Sequence, residues 1–182
     1  MRPAGDYGRR SPAPAGSPLR PARPAHTRRR LRPGGVVTSP VPVVIHHDAR
    51  HTITAAAGRA APLETGGLLL GWWDSDRVIV RSAVEVVDPA ASGTSWIRRE
   101  NLAQQALDRA IATLGHPWMG YVGDWHSHPA ACEASPQDIR SIRNASRAYA
   151  QPLLLIVHRY DGVLDIRAAR RGRSHTVLEV TG

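Results

Sequence analysis

The sequence predicts an α+β domain built on a single mixed β-sheet flanked by helices, and three observations lead there. From Val41 onward, β-branched apolar runs alternate with segments of helical periodicity. Twice, two such runs are joined only by a short turn sequence, Asp74-Ser75-Asp76 and Asp161-Gly162, so hairpins are frequent. The chain has 182 residues, enough for one domain with a sizeable core.

The elements follow in order. "VPVVIHH" reads as a first strand, and "DARHTITAAAGRAAP" as an Ala-rich helix entered at an Asp cap and ended by proline. "TGGLLLGWW" and "RVIVRSAVEVV" make the first hairpin, and "DPAASGTSW" is a loop. The next helix carries Leu102, Ala106, Leu107, Ala110, Ile111 and Leu114 at helical spacing, with Gly115 as its C-cap. "WMGYVGDWHSH" is then a strand and "SPQDIRSIRNASRAYA" a helix. "PLLLIVHRY" and "VLDIRAARR" form a second hairpin, and "HTVLEVT" a last strand. There is no internal repeat.

Residues 1–40 stand apart from the domain, residues 41–182. They hold nine arginines against Asp6 alone, a balance of +8, and seven prolines fall within the first 35 residues. Such a segment buries too little apolar surface to offset its ordering entropy and is expected to be a disordered tail. Its prolines break the amphipathic helix of a transit peptide, and it lacks the apolar region of a secretory signal. A tail that meets acidic partners, or an upstream start that is not used, stay open as its explanation. The remaining residues hold 15 arginines against 14 acids. A nearly neutral domain argues against nucleic acid as its partner. All 24 basic residues are arginine, which reads as coding bias rather than function. The single cysteine, Cys132, excludes an internal disulfide framework and fits a cytoplasmic location. No apolar run reaches the ~18 residues of a membrane span.

The chemistry concentrates in Gly123–Pro129, "GDWHSHP". In a strand, side chains alternate faces, so His126 and His128 point the same way and can chelate one divalent metal. A catalytic zinc site needs a third protein ligand and an open position. Asp138 is the candidate, although Ser135-Pro136-Gln137-Asp138 is equally a helix start with a Ser N-cap, Pro at N1 and an acid at N3. The two readings are compatible. Glu64 precedes an apolar strand opened by Gly66-Gly67; it reads as a solvated loop residue or as a site acid. The glycines suit a turn or a close backbone approach.

Glu64, then His126-Ser127-His128-Pro129, then Ser135-Pro136-Gln137-Asp138, resembles the JAMM motif (E…H[ST]HP…SxxD) of the MPN/Mov34 metallopeptidases, with the prokaryotic JAB-domain branch as the nearest form. The resemblance spans roughly residues 41–182. One departure is plain: the second His and the Asp stand ten apart, where the family pattern has eleven, so the intervening loop is one residue short.

The resemblance implies a cytidine-deaminase-like α-β-α sandwich and a Zn²⁺ held by His126, His128 and Asp138. That ion would lower the pKa of a water to ~7 and polarise the scissile carbonyl. Glu64 would serve as general base and then acid, and Ser135 would hydrogen-bond the oxyanion. Asp124, on the histidines' face, would support a ligand from behind. Cys132 reads as a loop cysteine without a role, or as a thiolate competing for the metal. Trp125 and Trp118 are expected in the core, one of Trp72 and Trp73 facing the groove, and "GTSW" (Gly93–Trp96) near substrate. His46, His47, His51, His116, His158 and His175 are expected to be structural or superficial.

The expected activity is a zinc isopeptidase or peptidase acting on the C-terminal tail of a ubiquitin-like or sulfur-carrier protein, the tail adding as a strand beside the site. Without a long insertion after the Asp138 helix, dedicated recognition of ubiquitin chains is not expected. A non-catalytic MPN scaffold is the alternative, but such domains usually lose ligands or the Glu. A RadC-like role ranks last, since the sequence reads HSHP rather than HNHPSG.

Overall fold

A computed structural model of the chain describes residues 39–180, so the expected tail lies outside the described residues apart from Ser39 and Pro40. The order is β1 (Val41–Ile45), α1 (His47–Ala60), β2 (Gly66–Asp74), β3 (Arg77–Glu85), α2 (Glu100–Leu114), β4 (Gly120–Ser127), α3 (Pro136–Ala145), a 3₁₀ turn (Ser146–Ala148), β5 (Leu153–His158), β6 (Leu164–Arg170), β7 (Arg173–His175) and β8 (Val177–Glu179). The strands form one mixed sheet of eight, in the order β7-β6-β5-β4-β2-β3-β1-β8. β4 and β5 are parallel, as are β1–β3 and β1–β8, and the other pairs are antiparallel. The three helices flank the sheet, as expected.

Both expected hairpins form. Asp74 pairs with Arg77 across Ser75-Asp76, with Ser75 in the left-handed region, and β5 pairs with β6 across the Asp161-Gly162 turn. β5 has no exposed position, which explains its unbroken apolar run: both of its faces are covered. Trp125 is fully buried in the core, and Gly115 ends α2 in the left-handed conformation. Of the apolar positions on α2, Ala106 and Leu107 are buried, while Leu114 turns outward.

The sheet closes in a way the strand pattern did not announce. The expected last strand is two, β7 and β8, separated in sequence by Thr176 alone, yet they lie at opposite ends of the strand order. The two edges must therefore meet, and the sheet is curled almost into a barrel. Bulges between β2 and β3 at Leu70/Gly71, and between β2 and β4 at Leu69/Leu70, supply local twist. The Thr176 carbonyl accepts from Val41 N–H at 2.8 Å, and Arg50 of α1 pairs with Glu179 of β8.

Three expectations are corrected. Asp48 is not the cap of α1: the N-cap is His46, without a side-chain bond, and Asp48 in the first turn pairs with Arg81 at 2.8 Å. Trp118 is not core but 37% exposed, because it follows the end of α2 on the connection to β4 and meets His116 edge-on. Neither Trp72 nor Trp73 reaches the histidines, because β2 carries them to the end opposite Gly66; Trp72 stacks on His116 and Trp73 Nε1 donates to Pro152.

Gly67 lies where β2 presses against β3, and a Cβ there would run into the Val84 carbonyl. Gly67→Ala should therefore lower stability by about 1–3 kcal/mol, the usual range for overpacking. Chemical denaturation of the metal-free chain measures this, and an unchanged midpoint would contradict the close strand contact.

Candidate metal centre

The centre is assembled by strand register. Gly66 pairs with His126 at the start of β2, and the pairing continues one residue further. There Ser127 N–H donates to the Thr65 carbonyl at 2.7 Å, and Thr65 N–H donates to Ser127 Oγ at 3.0 Å. The same register sets Glu64 opposite His128. With side chains alternating, Glu64, His126 and His128 share one face. His128 lies just past β4, held by its N–H to the His158 carbonyl at 2.8 Å.

α3 delivers the fourth residue. Ser135 is its N-cap and forms a full capping box: Asp138 N–H donates to Ser135 Oγ at 3.2 Å, and Ser135 N–H to Asp138 Oδ2 at 2.7 Å. The same Oδ2 lies 3.6 Å from His126 Nε2 and 3.6 Å from His128 Nε2, and the two Nε2 atoms are 3.0 Å apart. Capping and convergence on the histidines are thus one geometry, and the short loop still brings Asp138 home. The Ser135 hydroxyl accepts in the cap and also lies in hydrogen-bond contact with the Asp138 carboxylate.

Ligand–ligand edges in a tetrahedral site with ~2.0–2.1 Å bonds are about 3.3–3.4 Å. Edges of 3.0, 3.6 and 3.6 Å lie within about 0.4 Å of one face of such a tetrahedron. The donor chemistry agrees. His128 Nδ1 lies 3.2 Å from the Cys132 carbonyl, so a proton there leaves Nε2 as the lone pair facing inward. His126, His128 and Asp138 therefore form a candidate metal site.

Charge is concentrated here. Burial pushes the Glu64 carboxyl above its ordinary range and Asp138 adds to this, while both histidines and the Trp96 backbone N–H work against it. Burial acts the same way on Asp138, but its contacts with His126 and Ser135 prevail and hold it well below the usual carboxylate range. A divalent cation would neutralise the two carboxylates that converge here.

Several neighbours were not foreseen. Ser127, between the two histidines and so pointing to the opposite face, clamps Thr65, whose hydroxyl donates to Glu85 at 2.9 Å. Trp96, in the "GTSW" segment, lies with its ring 6.5 Å from that of His126 at 22°. Asp124 does not support a histidine: its oxygens accept from Arg98 Nη1 at 2.9 and 3.0 Å and from Tyr121 at 2.9 Å. Cys132 is exposed, and its sulfur lies 3.3 Å from His128 Nδ1 rather than beside Nε2, which places it behind the ligand instead of in competition with it. His158 is buried, and burial pushes its pKa down.

A curled mixed sheet whose central strand ends in two histidines facing a helix-start aspartate defines an α+β domain with a candidate metal site. The family described as prokaryotic homologs of the JAB domain matches residues 46–172, and the chain belongs to it. The chain is 31% identical over 98 residues to a protein of Sinorhizobium fredii named probable metalloprotease y4qB, a match covering 50% of this chain and 58% of that one. It therefore spans little more than half of that relative's length. In fold it is similar to the solution structure of protein DSY2949 from Desulfitobacterium hafniense, with TM-score 0.56 and 18% identity over 77% of this chain and 94% of that one. No helix among the described residues is long and apolar enough to cross a membrane.

The raised Glu64 carboxyl has a measurable sign. Its folded pKa exceeds its unfolded one, so its contribution to stability is complete below about pH 4.3 and falls away as pH rises through the folded value. In metal-free protein, Glu64→Gln should raise the melting temperature at pH 7 and lose that advantage near pH 4. Thermal scans across pH check this; an advantage that grows toward acid pH would reverse the assignment.

Proposed function

We propose that the chain is a zinc-dependent peptidase or isopeptidase that cleaves an amide at the C-terminal tail of a ubiquitin-like or sulfur-carrier protein. One observation carries it: strand register puts Glu64 on the face of His126 and His128, within electrostatic reach of both and of Asp138. The membership of the JAB-domain family and the likeness to a protein named a metalloprotease support the hydrolytic reading.

His126, His128 and Asp138 would hold the ion. When bound, Zn²⁺ supplies Lewis acidity, bringing a water's pKa to ~7 and polarising the scissile carbonyl. Glu64 takes the proton of the attacking water and passes it to the departing amine, a relay for which a carboxyl raised by burial is suited. The Ser135 hydroxyl, beside Asp138, would turn its proton to the oxyanion, and losing such a donor typically costs ~10²–10³ in rate. The presence of Glu64 and of every ligand counts against a purely scaffolding domain.

Purified full-length chain should contain about one zinc per molecule. Glu64→Gln should keep that zinc while cleavage of C-terminally extended ubiquitin-like proteins falls to background, whereas His126→Ala should lose both. Metal analysis beside a gel-based cleavage panel reads this out. Zinc-free wild type, or Glu64→Gln as active as wild type, would sink the peptidase reading.

A further inference from the structure

Trp96 belongs to the connection between β3 and α2, residues 86–99, which is fastened at both ends. Its indole Nε1–H donates to the Val86 carbonyl at 3.0 Å and closes the base. Asp88, with 2% of its side chain exposed, accepts from Ala90 N–H at 3.1 Å, from Ile97 N–H at 3.0 Å and from Arg99 Nε at 2.9 Å, so it ties the two limbs together. Arg98 then anchors the outgoing limb to Asp124 and Tyr121.

So held, the segment presents Trp96 to the centre twice. The ring runs nearly parallel to that of His126, 6.5 Å away, and it fits because residue 66 is glycine: a Cβ there would come within 2.7 Å of the indole. The backbone N–H faces the Glu64 carboxylate, while Glu64's own N–H donates to the Ser92 carbonyl at 2.7 Å.

The two imidazoles are restrained differently. His128 has its Nδ1 against the Cys132 carbonyl, the familiar way of fixing a ligand's tautomer and rotation. His126 has the indole of Trp96 beside its ring. A histidine's outer torsion is broad and roughly two-fold, so a flat neighbour beside the ring helps to set its rotation. The flat face of Trp96 is that neighbour.

We propose that Trp96 is a positioning residue, holding His126 so that Nε2 faces Asp138 and keeping the Glu64 carboxylate beside the ligand triangle. This rests on the metal reading above, but its first readout is affinity for zinc rather than cleavage. Outer-shell partners typically alter metal affinity 10–100-fold. In zinc titrations of the full chain against a chromophoric chelator, Trp96→Ala and Trp96→Leu should each weaken binding by about that factor. Trp96→Phe should recover most of it, because a flat ring returns even though the bond to Val86 does not.

Circular dichroism of the metal-free variants checks folding, and if the alanine variant fails to fold, the leucine one decides. Leucine binding zinc as tightly as wild type overturns the proposal. Wild type that binds zinc in this series yet cleaves no tail overturns the peptidase reading and leaves this one standing; wild type that takes up no zinc overturns both.

Discussion

Where β2 lies against β4, Gly66 sits opposite His126 and Thr65 opposite Ser127, and the alternation of side chains then sends Glu64, His126 and His128 to one side of the sheet. A slip of one residue between the two strands would put Glu64 on the face opposite the two histidines. The register is secured from both faces. On one, Ser127 bonds Thr65 through backbone and side chain, and Thr65 passes the connection to Glu85, which pairs with Arg59 of α1 at 2.8 Å. On the other, a glycine at position 66 admits the Trp96 ring between the strand and the connection above it. The serine between the two histidines is thus part of how the acid opposite them is placed.

Electrostatics divide the two carboxylates that meet there. Asp138 is tied into the start of α3, where backbone N–H groups and the helix dipole favour its charge. Glu64 is half-buried, with fewer compensating donors, and keeps its proton more readily. Two acids in one centre with affinities pushed apart is the pattern expected when one holds and the other exchanges protons. The helix start does double service, since the oxygen that closes the capping box is the one nearest both imidazoles.

Much of this was legible in the chain because it depends on short spacings. Two histidines in alternation, a Ser-Pro-x-Asp helix start and a glutamate before a glycine-opened strand are local patterns, and the fold sets them together as expected. The hairpins and the α2 cap were legible for the same reason. What escaped were contacts between distant segments with no local signature. Asp124 was assigned by its face alone, but its charge is claimed by Arg98, which lies on another element. Trp118 was placed inside by its chemistry, although it sits on a connection at the surface. Asp48 resembled a cap because Asp favours that position, yet its carboxylate serves Arg81 instead.

The closure of the sheet has a consequence for how the chain comes to its fold. β1 is flanked by β3 and by β8, and its pairing with β8 joins Val41 to Val177. Contacts so remote in sequence are slow to form, because the loop they close must be ordered before they reward it. On a ribosome, synthesis proceeds N-terminus first at about 5–20 residues per second. The hairpin of β2 and β3, with β4 and α3, is therefore complete while β8 is still unmade. During that interval β1 presents one bare edge of backbone donors and acceptors, the kind of edge that recruits strands from other chains. Pairing with β8 covers that edge and so guards against misassociation.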